Sequence, residues 1–310
     1  MFLENKQSRV QQVHCSEIAS KNVEVFIKRD DELHSFISGN KYRKLKYNLE
    51  EAKKLKHHTL LTFGGAYSNH IAALAFAGYE FGFKTIGIIR GNELENNMDE
   101  ILQTNATLKF ASKHKMQFEF VSRSDYRTKN FPEFIDKLKN KFGNFYLVPE
   151  GGTNKFAVKG CEEILTSEDQ KYDVICSAVG TGGTISGLIN SSNKHQKVIG
   201  FPALKGDFLQ NEIDKFVLNH TNWSLNNDYH FGGYAKISKE LILFINKFKS
   251  ETCIPLDPVY TGKMLFGIVD LIKKDYFSEG TKILAIHTGG LQGIDGLNTV
   301  LKKKKMPLIV

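Results

Sequence analysis

Ser38-Gly39-Asn40-Lys41-Tyr42-Arg43-Lys44-Leu45 joins two segments of different periodicity. Before it, Val23-Glu24-Val25-Phe26-Ile27-Lys28 alternates like a half-buried strand; after it, Leu45, Leu49 and Ala52 recur at helical spacing over residues 42–55. The junction therefore reads as strand, turn and helix, the repeating unit of α/β proteins. Gly39 permits a close backbone approach, and Asn40 is a candidate helix cap. Lys41 then stands in the first turn, where the helix dipole and neighbouring Arg43 and Lys44 depress an amine. A depressed amine suits Schiff-base chemistry. The plain alternative is a solvated basic helix face.

Working outward, the same alternation continues. Strands are expected at 60–63, 84–90, 117–121 and 145–148, with helices at 69–82, 100–115 and 132–141. That spacing argues βαβ units and a parallel sheet. Pro149-Glu150-Gly151-Gly152-Thr153-Asn154 is the strongest loop signal. Beyond it come a helix at 156–165, an apolar strand at 172–179, a helix from 184 and a strand at 197–201. Residues 206–229 show no clear pattern. Helices at 236–250 and 262–274, a strand at 282–287 and a final helix close the chain. The first 22 residues are weakly patterned, and neither a repeat nor a low-complexity linker is present.

The 310 residues, 41% hydrophobic and 25% charged, allow two ordinary domains or one large one. No apolar run reaches the roughly 18 residues of a membrane helix, and Met1-Phe2-Leu3-Glu4-Asn5-Lys6 lacks an apolar signal core. Cys15, Cys161, Cys176 and Cys253 are scattered, which argues against a metal site or a disulfide framework and for a reduced cytoplasm. The net charge of +8 is lysine-rich, but its densest run, Lys302-Lys303-Lys304-Lys305, reads as a solvated helix end. No nucleic-acid module is recognisable.

Gly180-Thr181-Gly182-Gly183-Thr184 lies between an apolar strand and a helix, where successive backbone N–H groups make a phosphate cradle. A dinucleotide fingerprint fits less well. Its sixth position would be Ile185, and no acidic residue ends the next strand. A single phosphate suits the loop better. Ser68-Asn69-His70, after Gly64-Gly65, sits where a strand meets a helix and also reads as a capped helix start. His287, at the end of the last strand, reads as a packed histidine.

Four motifs stand in one order: Gly39–Leu45, Gly64-Gly65-Ala66-Tyr67-Ser68-Asn69, Gly180–Thr184 and Asp257-Pro258-Val259-Tyr260-Thr261-Gly262-Lys263. In these the chain, from about Val23 to Asn298, resembles the 1-aminocyclopropane-1-carboxylate (ACC) deaminase and D-cysteine desulfhydrase family of pyridoxal-phosphate (PLP) enzymes. The resemblance implies the fold-type II architecture: two doubly wound α/β domains with the cofactor in the cleft between them. The large domain would comprise 1–44 and 156–310, the small one 45–155. A homodimer is usual in the family.

Carried over residue by residue, the resemblance makes Lys41 the lysine that carries PLP and Lys44 its phosphate partner, together with Gly180, Thr181, Gly182, Gly183 and Thr184. Asn69 would bond the cofactor's phenolic oxygen and Thr288 would lie beside its pyridine nitrogen. Ser68, Asn69 and His70 form the expected carboxylate loop for a small amino-acid substrate. Tyr234, Tyr260 and Thr261 would face that substrate, the tyrosines transferring a proton or steering the leaving group. No metal, nucleic-acid or membrane partner is implied.

The chain departs from the family twice. Tyr234-Ala235-Lys236-Ile237-Ser238 lacks the usual Pro-Asn, and Lys46 stands where an acidic residue is common, a difference that reads as a surface change. Thr261 and Thr288, where ring-opening ACC deaminases carry Glu and Leu, imply D-cysteine desulfhydrase-type elimination to pyruvate, ammonia and sulfide. ACC deamination to 2-oxobutanoate and ammonia is the alternative. Cysteine-synthase-like β-replacement and a non-catalytic nucleotide-binding protein stand further off.

Overall fold

The computed structural model describes residues 3–218 and 221–310. Its strands are β1 (Val10–Val13), β2 (Glu24–Lys28), β3 (Thr59–Gly64), β4 (Lys84–Arg90), β5 (Met116–Val121), β6 (Tyr146–Val148), β7 (Val174–Val179), β8 (Lys197–Pro202), β9 (Trp223–Leu225) and β10 (Lys282–Ile286). They form a six-stranded sheet ordered β1-β2-β10-β7-β8-β9 and a four-stranded sheet ordered β5-β4-β3-β6. Every pairing is parallel except that of β1 with β2. The weakly patterned start of the chain thus contributes an antiparallel edge strand.

Strand alternation explains why helices cover both faces of each sheet. In β7, Val174, Cys176 and Ala178 enter one apolar cluster while Ile175 and Val179 enter the opposite one. In β3, Leu60 faces one core and Leu61 and Phe63 the other. Helix Asn40–Lys54 lays Tyr42, Leu45, Leu49 and Ala52 into the core of the four-stranded sheet, together with Leu33 and Ile37. Its other side crosses helix Lys155–Glu162 so closely that a Cβ on Gly160 would stand 2.0 Å from the Arg43 carbonyl oxygen.

Three elements differ from the sequence reading. The helix expected at 100–115 is two, Met98–Thr104 and Ala106–Lys113, because Asn105 leaves the helix and accepts from the Leu108 N–H at 2.9 Å. The unpatterned 206–229 region holds helix Phe208–Asp214 and strand β9. Lys46 is no surface residue: it is 2% exposed, and its Nζ lies 2.7 Å from Glu163, to which Tyr47 also donates. The positive charge is retained because the acidic partner comes from a neighbouring helix.

Both sheets change winding direction at their centres. From β3 the chain builds β4 and β5 to one side and β6 to the other; from β7 it builds β8 and β9 to one side and β10 to the other. The crevice at the carboxyl ends of such strands is where α/β sheets bind ligands. The loops that leave β3, β6, β7 and β10 here converge on one cavity of about 730 Å³.

Candidate active site

Lys41 stands one residue into helix Asn40–Lys54 because Gly39 caps it with φ 62° and ψ −140°. A Cβ on Gly39 would lie 2.0 Å from the Thr288 carbonyl oxygen, so glycine is required there. Asn40 does not cap the helix with its side chain; its Nδ2 donates to Thr184 Oγ1 at 2.8 Å and ties the helix start to the glycine loop. Lys41 Nζ donates to the Gly151 carbonyl at 3.2 Å. Lys44, one turn on, donates to the same oxygen at 3.2 Å and to Thr153 Oγ1 at 3.0 Å. Burial, and then the neighbouring Lys44 charge, hold the Lys41 amine well below the ordinary lysine range. Arg43 takes no part in this. It turns away, 1% exposed, to pair with Asp30 at 3.2 Å.

The glycine loop opens helix Gly183–Ser191, with Gly182 at φ 84°. The N–H groups of Thr181 to Thr184 have no backbone acceptor among the described residues, as expected at a helix start. Lys44 Nζ would stand 3.3 Å from a Cβ on Gly183. An amine beside a ring of unpaired N–H groups suits a phosphate dianion, and Thr181 and Thr184 add hydroxyls. These residues fit PLP. Gly183 itself turns its Cα towards Thr153 and Lys44 rather than the open cavity.

Across the cavity, Ser68 caps helix Asn69–Phe81, its hydroxyl 3.4 Å from the Ile71 N–H. Ser68 and Asn69 line the cavity. His70 lines it too, although it is 2% exposed. Thr62 Oγ1 donates to the Val148 carbonyl at 2.7 Å, so its 2.8 Å contact with His70 Nε2 makes that nitrogen the donor. Nδ1 is left as a buried acceptor with no protein partner. Burial, Lys41 and Lys44 push the imidazole well below its usual range, so it stays neutral.

Tyr234 and Tyr260 close the cavity from the large sheet's side, their ring centroids 6.3 Å apart. Tyr260 is held by Asp257, which accepts from the N–H groups of Val259, Tyr260 and Thr261 at 2.8–2.9 Å. Burial raises both phenols, Tyr260 well above the ordinary value, so both keep their protons at neutral pH. The Tyr260 ring edge lies 3.1 Å from where a Gly180 Cβ would be. Thr288 lines the cavity and its hydroxyl makes no hydrogen bond among the described residues. Thr261 does not reach the cavity. Its hydroxyl donates to Asp257 at 2.8 Å from a fully buried position. His287 is likewise packed, with Nε2 at 2.7 Å from the Pro255 carbonyl.

Sequence reasoning missed the wall facing the two tyrosines. Glu150 accepts from Tyr126 at 2.7 Å and pairs with Lys129 at 3.2 Å, and Arg90 and Lys129 both lie over the Tyr126 ring. The Pro149–Asn154 loop was legible as a loop, and its polar residues were the available signal.

The model of the family described as "pyridoxal-phosphate dependent enzyme" matches residues 9–289. This chain belongs to that family. It is a PLP-dependent enzyme of the fold-type II architecture. It is 33% identical over 295 residues to a mitochondrial bifunctional D-cysteine desulfhydrase/1-aminocyclopropane-1-carboxylate deaminase of Arabidopsis thaliana, covering 87% of this chain and 73% of that one. A D-cysteine desulfhydrase of Serratia proteamaculans is 26% identical over 290 residues, with 86% of each chain covered. A crystal structure titled as that of an ACC deaminase homologue superposes with a TM-score of 0.81 at 29% identity, covering 97% of this chain and 95% of the other. Relatives of this PLP enzyme by sequence are thus named for both activities, and the superposed crystal structure shares its architecture.

Proposed function

We propose that this PLP enzyme eliminates sulfide from D-cysteine, giving pyruvate, ammonia and sulfide. The observation that carries the choice of substrate is Thr288, which lines the cavity with a hydroxyl that makes no hydrogen bond among the described residues; a lowered amine at Lys41 and raised phenols at Tyr234 and Tyr260 line the same cavity. Groups driven apart in this way take opposite roles, base and acid.

Lys41 would hold the cofactor covalently and, once displaced by the substrate amine, take the proton from the substrate α-carbon at Nζ. The backbone and hydroxyl of Ser68, with Asn69, would orient the carboxylate. Neutral His70 adds no charge of its own there. As the carbon–sulfur bond breaks, a phenol of the Tyr234–Tyr260 pair would donate its proton to the departing sulfur. Lys44 and the Gly180–Thr184 loop would hold the phosphate. PLP supplies the sink for the electron pair left at the α-carbon, and Thr288, a hydroxyl where a carboxylic acid would deepen that sink, suits a good leaving group such as sulfide. ACC, whose ring carbon must leave, makes a larger demand.

We further infer a small domain of 45–155 around the four-stranded sheet and a large one of 1–44 with 156–310, with Leu33, Ile37 and Tyr42 packing across the boundary. A cytoplasmic homodimer acting on a small amino acid, without nucleic acid or membrane, completes the proposal. The four free cysteines support a reducing compartment, and among the described residues no helix is long and apolar enough to cross a membrane. Pyruvate release from D-cysteine and L-cysteine, measured beside 2-oxobutanoate release from ACC, tests the substrate. Turnover of ACC ahead of D-cysteine would favour the ring-opening activity.

A further inference from the structure

We propose that Lys263 is a positioning residue that clamps the loop carrying Tyr234 to the helix carrying Tyr260, so that one helix start sets both phenols. The proposal rests on the reading of Tyr234 as a substrate-facing group.

Lys263 lies in the first turn of helix Thr261–Lys273, three residues after Tyr260. It is 2% exposed and makes no ion pair among the described residues. Its Nζ donates instead to two carbonyls of the crossing loop, His230 at 2.9 Å and Gly233 at 2.8 Å. Those oxygens already close two successive turns: His230 accepts from the Gly233 N–H at 3.0 Å, and Gly233 from the Lys236 N–H at 3.1 Å. One amine therefore ties together the closing bonds of both turns, and Tyr234 lies within the second, next to Gly233.

The loop needs such a tether. Phe231, Gly232, Gly233 and Ala235 all have positive φ, at 54°, 89°, 117° and 54°. Non-glycine residues in that region are strained and persist only where surrounding contacts fix them. Other contacts that hold it are Phe231 edge-on to Phe266, with centroids 5.0 Å apart, the Tyr234–Tyr260 ring contact, and His230 Nδ1, which accepts from the Gly232 N–H at 2.8 Å. A buried amine without a carboxylate is itself costly. Its carbonyl contacts offset part of that cost and are the one visible return on it.

The test uses the PLP-loaded enzyme, D-cysteine as substrate and chymotrypsin as a probe of Phe231 and Tyr234. Lys263→Met keeps the stem and removes the donor. Cleavage at the 231–234 loop should rise, and kcat/KM should fall on the order of 10²-fold, as for a misplaced group, while PLP affinity holds. The loss should disappear in a Tyr234→Ala background, because positioning through Tyr234 cannot add to its removal. Lys263→Gln, which keeps one donor, should fall between the two, and it is read the same way should Lys263→Met not fold. Wild-type cleavage in either variant, or losses that add to those of Tyr234→Ala, would overturn the clamp. If Tyr234→Ala alone leaves turnover intact, the reading of Tyr234 fails instead, and protease sensitivity still decides whether Lys263 holds the loop.

Discussion

At the scale of single residues, Lys41 and Lys44 share one acceptor, the Gly151 carbonyl, and on the proposed reading they would divide the work. Lys41 should carry the cofactor: borohydride reduction followed by peptide mapping should label Lys41, and Lys41→Ala should abolish the label. Lys44→Ala should keep the label and weaken PLP binding. A label on Lys44 would reverse the assignment. Lys46 makes a second case, since it is buried and its pairing with Glu163 is part-buried. Lys46→Ala should cost about 3 kcal/mol, the lower end for a broken buried pair, whereas a surface lysine would cost nearly nothing in a denaturation curve. Lys263 adds a pH dependence. Burial holds its ammonium down to about 8 from the ordinary 10.5. Between those values the unfolded chain binds more protons than the folded one. Its contribution is therefore full above pH 10.5 and is lost as pH falls through 8. Thermal midpoints of Lys263→Met should lose ground to the wild type as pH rises across that interval; a flat difference would contradict a buried charge.

At the scale of elements, the glycine loop is the sharpest test. Gly182→Asp places a carboxylate in the cradle, and its Cβ would lie 3.1 Å from Ile213 at φ 84°. PLP affinity should fall by at least about tenfold, or 1.4 kcal/mol, with circular dichroism unchanged; undiminished affinity would put the phosphate elsewhere. The elements also show what the sequence could reveal. Alternation in β2 and helical spacing after Lys41 were legible because burial on one face writes itself as a period, and β7 was legible as an apolar run because both its faces are buried. The two-helix break at Asn105 was not, since a single capping side chain leaves the apolar period intact. Ser68 and Gly180–Thr184 were legible as local motifs. The Thr62–His70 and Lys263–Gly233 bonds were not, because they join residues whose proximity exists only in the folded chain. Thr261 was legible as part of a motif but not in its direction, which Asp257 fixes inward.

At the scale of the whole molecule, two sheets bring the loops at their switch points to one cavity, and on the proposed reading each would supply half of the chemistry: carboxylate loop from one, cofactor cradle and phenols from the other. Nothing in that division chooses the leaving group. The choice rests on Thr288, whose hydroxyl stands free at the cavity wall, more than on Thr261, which is bonded away from it. Thr288→Asp, which would bring an acid to that wall, should therefore shift the ratio of the two activities towards ACC, while Thr261→Glu would meet buried Asp257 and should chiefly destabilise the helix start. The measurement that bears most directly on the account is kcat/KM of the PLP-loaded wild type for D-cysteine and for ACC under one set of conditions. Sulfide and pyruvate are expected from D-cysteine, with ACC turned over at least about a hundredfold less efficiently, a difference of some 2.7 kcal/mol in transition-state stabilisation. Faster turnover of ACC would contradict it.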